Sequence, residues 1–382
     1  MNVSIIGIGL YPFGRHDGVS AMEMGVAAAR TALADAGVGW KDVHLAFAGS
    51  LETLQPDAMI KYLGLTGIPF TTLFNGCATG GNLMLNAANA ILAGQGDVAL
   101  VVGLDKHPRG AFSVGATLEG LGLGQWYGTT GLALNPQFFA MKTQRYMHDH
   151  GITADTLHRT AVKAFKNGSL NPNAWRQSEL TYDEIANSPL VCDPLRKYHF
   201  CSPSEGAAAL VLCRGDVAAR YTSKAVQIRA DVFRTRLYGA FETLSPSKPV
   251  KDVPSPTVQA SRAAFEMAGI GPEDVQVLQV QDTEVGHEVM HLAENGFCKD
   301  GEQEKLVRDG ATAIGGKLPV NTDGGLMANG EPIGASGLRQ IYEVCVQLRG
   351  EAGARQVPGS PKLGYTQVYG FPGVSCVTVL SR

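Results

Sequence analysis

The stretch Phe74-Asn-Gly-Cys-Ala-Thr-Gly-Gly81 sets one cysteine among small residues, just ahead of an apolar run with helical spacing at 83–92. Far downstream, Ala328-Asn-Gly-Glu-Pro-Ile-Gly-Ala-Ser-Gly337 repeats the Asn-Gly lead-in, with Glu331 where the cysteine stood and a second helical run at 338–348. One turn-plus-helix unit written twice implies a duplicated chain. A second pair of segments agrees. Residues 32–46 (ALADAGVGWKDVHLA) and 264–278 (AFEMAGIGPEDVQVL) share a helix end, an Ala-Gly cap, a second glycine and Asp-Val leading into a strand. The first copy's helix opens on a capping box, Ser20 with Glu23. Its apolar stripe of Met22, Val26, Ala29 and Leu33 has the period of a half-buried helix, and Arg30 falls off that stripe. Short apolar runs at 98–102 and 207–212, bounded by turn residues, read as strands buried on both faces.

These elements predict an α/β fold of two βαβ-type halves, residues 1–225 and 226–382. A section at about 105–205 is inserted in the first half. It begins irregular and glycine-rich, with Trp126 and Tyr127, and turns helical at 137–151, which reads as a lid over a site. A pseudo-two-fold axis between the halves brings Cys77 and Glu331 face to face at two helix N-termini. Such termini stabilise negative charge and lower thiol pKa values. The pairing is that of a nucleophile and a base. Against this stand plainer roles, a packed sulfur for Cys77 and a helix cap for Glu331.

Composition narrows the class. The 382 residues suffice for a large core, and a net charge of −3 offers no electrostatic footprint for nucleic acid or an anionic membrane. The longest plainly apolar strand run, VALVVGL between Asp97 and Asp105, is far too short to span a bilayer. Seven cysteines without paired spacing argue against a secreted disulfide framework, and the expected location is the cytoplasm. Cys192, Cys201, Cys213, Cys298, Cys345 and Cys376 read as core. His287-Glu-Val-Met-His291 matches the H-E-x-x-H zinc pattern, but Glu294 lies only three residues on, and no metal is expected.

Taken together, NGCATGG, GLALNPQFFAMKTQRYMHDHG, DPLRKYHFCSPSEGAAALVL, GGKLPVNTDGGLMANGEPIGASG and YGFPGVSCVTVL resemble, in order and over the whole chain, the thiolase superfamily. The resemblance is to its branch of sterol-carrier-protein-x thiolases and bacterial lipid-transfer thiolase-like proteins. It implies two mixed five-stranded sheets layered with helices as an αβαβα sandwich, a loop domain and a homodimer. It also implies coenzyme A as co-substrate, no redox cofactor, and a small OB-fold/zinc-ribbon partner subunit.

The family's catalytic residues carry over unevenly. Cys77 matches the acylated nucleophile. Gly330-Glu331-Pro332 stands where thiolases have Gly-His-Pro, and no histidine follows His291. Gln281-Asp-Thr-Glu284 stands for a His-Asp-Cys-Phe-like motif, and Tyr369-Gly370 occupies the C-terminal glycine turn that usually supplies a base or an oxyanion donor. The implied reaction is cleavage of a branched or bulky β-ketoacyl-CoA by free CoA through acyl-Cys77. Glu331 would be the base, Gln281 an oxyanion donor, and Tyr369 with Gly370 further site residues. Two alternatives stand beside it: retro-aldol cleavage of a β-hydroxyacyl-CoA with Tyr369 as acid/base, and a catalytically reduced acyl-CoA-binding protein.

Overall fold

The computed structural model describes residues 1–109, 135–240, 253–371 and 373–382. Trp126 and Tyr127, the residues read as lid packing, lie outside them. Nine strands build one mixed sheet: β1 (Val3–Gly14), β2 (Leu45–Gly49), β3 (Phe70–Thr72), β4 (Val98–Lys106), β5 (Glu205–Arg214), β6 (Val226–Thr235), β7 (Val277–Gln279), β8 (Leu363–Gly370) and β9 (Val374–Ser381). Their order across the sheet is β3-β2-β4-β5-β1-β6-β9-β8-β7.

That order is a palindrome in structure. On the N-terminal side β2 runs parallel to β3 and β4, while β4–β5 and β5–β1 are antiparallel. On the C-terminal side β7–β8 is parallel, and β8–β9 and β9–β6 are antiparallel. The counterpart of β3 shrinks to a single parallel bridge, Leu278 with Val320. The two halves meet edge to edge through only two residue pairs, Ser4 with Gln227 and Ile5 with Val226. The two sheets implied by the resemblance are thus present, joined edge to edge at this narrow seam, with the last member of the second reduced to a bridge.

The segments that reveal the duplication have matching conformations. Helix α1 (Ala21–Ala36) starts on the Ser20–Glu23 capping box and stops at Gly37 with φ 65°. Helix α5 (Pro256–Ala268) stops at Gly269 with φ 67°. Each is followed by a 3-10 turn, Trp40–Asp42 or Pro272–Asp274, and then by β2 or β7. Helix α1 covers one face of the N-terminal strands, and α5 covers the outer face of the C-terminal ones. Alternation along β4 shows why both faces must be apolar. Val98, Leu100, Val102 and Leu104 join the α1 core, while Ala99 and Val101 join the core on the opposite face.

That opposite face is filled by α2 (Thr79–Leu92) and α7 (Ile333–Arg349), which pack on each other and on strands of both halves. Their approach is close enough to require glycine. A Cβ on Gly80 would lie 2.5 Å from the Leu338 nitrogen. The described part of the inserted section is more regular than its composition implied. Helices α3 (Asn135–His150) and α4 (Ala154–Ser169) pack with α6 (Val285–Glu294) around Leu157, Phe165, Val285 and Val289.

Because the α2–α7 contact is backbone against backbone, Gly80→Ala is expected to destabilise the fold by about 1–3 kcal/mol. Gly315→Ala, where an added methyl meets open space, serves as the control. Thermal unfolding of the two variants checks this; equal midpoints would show that the helices can separate freely.

Candidate active site

Cys77 and Glu331 each lie two residues ahead of the first helical residue, Thr79 of α2 and Ile333 of α7. The cysteine turn is tied down locally. Thr79 Oγ1 accepts from Asn75 N–H (2.8 Å) and donates to the Gly76 carbonyl (2.6 Å). Gly76 adopts φ 59°, and the end of β8 lies against the turn: a Cβ on Gly370 would sit 2.5 Å from the Asn75 oxygen. Gly370 is thus a point of backbone contact with the Cys77 turn.

The Glu331 turn is held from β4. Asp105, fully buried, accepts from Gly334 N–H (2.6 Å) and also from Ser50 Oγ (2.5 Å) and Leu51 N–H (2.9 Å). His107 accepts from Ile333 N–H at Nε2 (3.0 Å), and its Nδ1 lies 3.0 Å from Glu52. Two first-turn N–H groups of α7 are therefore satisfied from the end of one buried strand.

The carboxylate of Glu331 is buried and surrounded. Its Oε1 accepts from Gln281 Nε2 at 3.0 Å, and its Oε2 accepts from Cys201 Sγ at 3.6 Å. Cys77 is its third hydrogen-bond partner, so the duplicated turns do meet. Burial raises the Glu331 pKa above the ordinary carboxylate value, against the lowering effect of these three partners and of His107. The Cys77 thiol is pushed well above its ordinary value, first by burial and then by the Glu331 charge. The lowered thiol pKa expected from a helix N-terminus is reversed, because loss of water and a facing carboxylate outweigh the end of the helix. The resting pair is a thiol beside a buried carboxyl group.

Each residue of the Gln281-Asp-Thr-Glu284 segment has its own task. Gln281 Nε2 also donates to Thr283 Oγ1 (2.9 Å), which engages both amide hydrogens and leaves none for a thioester oxygen. Asp282 accepts from Leu326 N–H (2.7 Å) at the short helix Gly325–Asn329, and Glu284 caps α6 through Gly286 N–H and His287 N–H. Tyr369 lies in a neighbouring ring cluster. Its centroid is 5.5 Å from that of His287 and 6.1 Å from that of His291, and the Lys142 ammonium stands 5.4 Å from its centre. In the zinc-like motif the glutamate points elsewhere. Glu288 pairs with Lys163 and accepts from Asn321 Nδ2 (2.9 Å). No group of three or more metal-ligating side chains occurs among the described residues.

Comparison with known proteins decides the family. Residues 3–216 match Thiolase, N-terminal domain, and residues 245–382 match Thiolase C-terminal domain-like. The chain belongs to the thiolase family. Within it, this thiolase is 33% identical to an acetyl-CoA acetyltransferase of Methanothermobacter thermautotrophicus, over all of both chains. It is 32% identical to sterol carrier protein 2 of Oryctolagus cuniculus, over 99% of this chain and 71% of that one. Benzoylsuccinyl-CoA thiolase subunit BbsB of Thauera aromatica is 30% identical, over 96% and 94%. These relatives place the chain on the sterol-carrier-protein side of the family, as an enzyme of the acyltransferase class. The Ltp2-ChsH2(DUF35) aldolase shares the fold at TM-score 0.85 and 24% identity, covering 100% of this chain and 97% of that one. Human mitochondrial 3-ketoacyl-CoA thiolase shares it at 0.71 and 15%, covering 99% and 98%. Among the described residues no helix is long and apolar enough to cross a membrane.

A raised carboxyl pKa carries a sign. The unfolded chain releases the Glu331 proton at lower pH than the folded one, so stability falls as pH climbs from the ordinary glutamate range to the raised value, then levels. Glu331→Gln lacks that loss. Its melting temperature is expected to exceed the parent's by a margin that widens by about 2 °C or more between pH 5 and pH 7.5. A margin independent of pH would mean the carboxylate costs nothing to bury.

Proposed function

We propose that this thiolase cleaves a branched or bulky β-ketoacyl-CoA with free CoA through an acyl-Cys77 intermediate. The observation that carries the reading is the Cys77 thiol placed against the buried Glu331 carboxylate, a nucleophile in contact with its base. Cys77 attacks the keto carbonyl while its proton passes to Glu331. The bond to the α-carbon then breaks, and the departing acyl-CoA enolate takes the proton back from Glu331. CoA next gives its thiol proton to Glu331 and attacks the acyl-Cys77 carbonyl; the bond to Cys77 breaks and Cys77 recovers the proton. Gln281 aligns Glu331 in this scheme, and the oxyanion falls to backbone N–H groups where the Cys77 turn abuts Gly370.

Retro-aldol cleavage of a β-hydroxyacyl-CoA is the second reading. It is favoured by Tyr369 among His287, His291 and Lys142, and by a fold neighbour that is itself an aldolase. It consumes no CoA, and its acid/base is Tyr369. We assign residues 1–225 and 226–382 to the two thiolase halves and place the enzyme in the cytoplasm. The partner we propose is a small OB-fold/zinc-ribbon subunit, by analogy with a relative named as a subunit and a fold neighbour solved as a two-protein complex.

Cleavage of a β-ketoacyl-CoA should require added CoA. Glu331→Gln should lower kcat on the order of 10²-fold, and peptide mass spectrometry should find the acyl group on Cys77. Carbonyl release from a hydroxyacyl-CoA without CoA, persisting in Cys77→Ala, would establish the aldolase instead.

A homodimer fits the edge of the sheet. Strand β3 is short and partly open, and Leu54 (93% exposed) and Leu65 (86%) lie near it in sequence, with Phe74 beyond its end. Sedimentation should give a dimer for the parent and a monomer for Leu54→Asp/Leu65→Asp; a parent that sediments as a monomer refutes the assignment.

A further inference from the structure

The sequence gives Cys201 no distinction. The structure routes it into the site: Cys201 N–H donates to the Thr283 carbonyl (2.9 Å), and Glu331 N–H donates to the Ser202 carbonyl (2.9 Å). Segment 200–204 thus runs between the Gln281 segment and the Glu331 turn, bridged to each. Arg176 fixes this segment, donating to the Phe200 carbonyl (3.3 Å), the Met327 carbonyl (2.9 Å) and Ser202 Oγ. The result is a buried thiol with its sulfur 3.6 Å from Glu331 Oε2, opposite the amide that holds Oε1.

We propose that Cys201 is a positioning residue, a second thiol that orients the Glu331 carboxylate and keeps it ionised until the Cys77 proton passes to it. This rests on the reading of Glu331 as the base. Among the described residues, the groups facing Glu331 are few. Cys77 comes from the turn before α2, His107 from the end of β4 and Cys201 from the segment before β5, with neutral Gln281 beside them. Arg176 and Asp282 act in turn on Cys201. A donor to a carboxylate favours its charged form, so removing Cys201's S–H raises the Glu331 pKa. No proton leaves Cys201 in this role.

The test reads Glu331 through Cys77 and needs no substrate. Between the two ionisations the Cys77–Glu331 pair shares one proton, and a fixed small fraction is thiolate. Alkylation of Cys77 by iodoacetamide, followed against pH by peptide mass spectrometry, should rise through the Glu331 ionisation to a plateau and rise again at alkaline pH. Glu331→Gln should abolish the lower step. Cys201→Ala and Cys201→Val, the second keeping the bulk, should move that step up by about half to one pH unit and raise the plateau roughly three- to tenfold. Cys201→Ser, which keeps a donor, should not move it up. Ala and Val profiles that superimpose on the parent, with the lower step still lost in Glu331→Gln, overturn the positioning role and leave Glu331 as the base. A lower step that survives Glu331→Gln overturns both.

Discussion

Helices α2 and α7 touch through their backbones, and the geometry of the site is set by that contact. A Cβ at Gly80 would reach the Leu338 nitrogen, and the start of α7 lies as close to the sheet, where a Cβ at Gly103 of β4 would reach the Gly334 oxygen (2.2 Å) and one at Gly334 the Gly49 oxygen of β2 (2.6 Å). With no side chains between them, the helix starts converge, and the residues two positions earlier, Cys77 and Glu331, meet. Larger residues would separate the turns by the width of a methyl layer and lose the hydrogen bond. Asp105 and His107 add direction, taking N–H groups from the first turn of α7 so that its entry is fixed from β4.

The carboxylate at this meeting point is expensive to bury, and the surroundings offset only part of the cost. Gln281, Cys201 and Cys77 supply hydrogen bonds, yet loss of water dominates and the pKa stays raised. A fully hydrated carboxylate holds a proton less tightly than this buried one, and would be a poorer acceptor for a thiol whose own pKa is pushed up. Burial raises the proton affinity of both groups, and their contact gives the proton a short path from one to the other. The site trades folding stability for proton affinity.

The duplication and the Cys77–Glu331 pairing were legible in the sequence because they rest on local signals: repeated Asn-Gly turns, αL glycines at 37 and 269, and apolar runs long enough to define β4 and β5. What escaped was tertiary. Cys201 lies 130 residues from its carboxylate partner, in a segment with neither turn nor ligand spacing, so composition assigned it to the core. Asp105 served only as the boundary of an apolar strand, and His107 drew no reading. An acid and a histidine at the end of a doubly buried strand are the signal that could have found them. The direction of the Cys77 shift failed for the same reason, since a helix terminus is visible in sequence and a facing buried carboxylate is not. Helix α4 was missed because the glycine-rich residues before α3 coloured the reading of the whole insertion.

The seam between the halves is two residue pairs wide, while α7, which belongs by chain order to the C-terminal half, lies on β4 and β5 of the other. Cohesion therefore comes from exchanged helices and hardly from the sheet. Separated at residue 226, the N-terminal piece would bare the part of its sheet's inner face that α7 covers, leaving α2 alone on it, and the C-terminal piece would carry a helix with no strand of the first half to cover. In the proposed reaction the two copies divide the work, one turn giving the sulfur and the other accepting its proton.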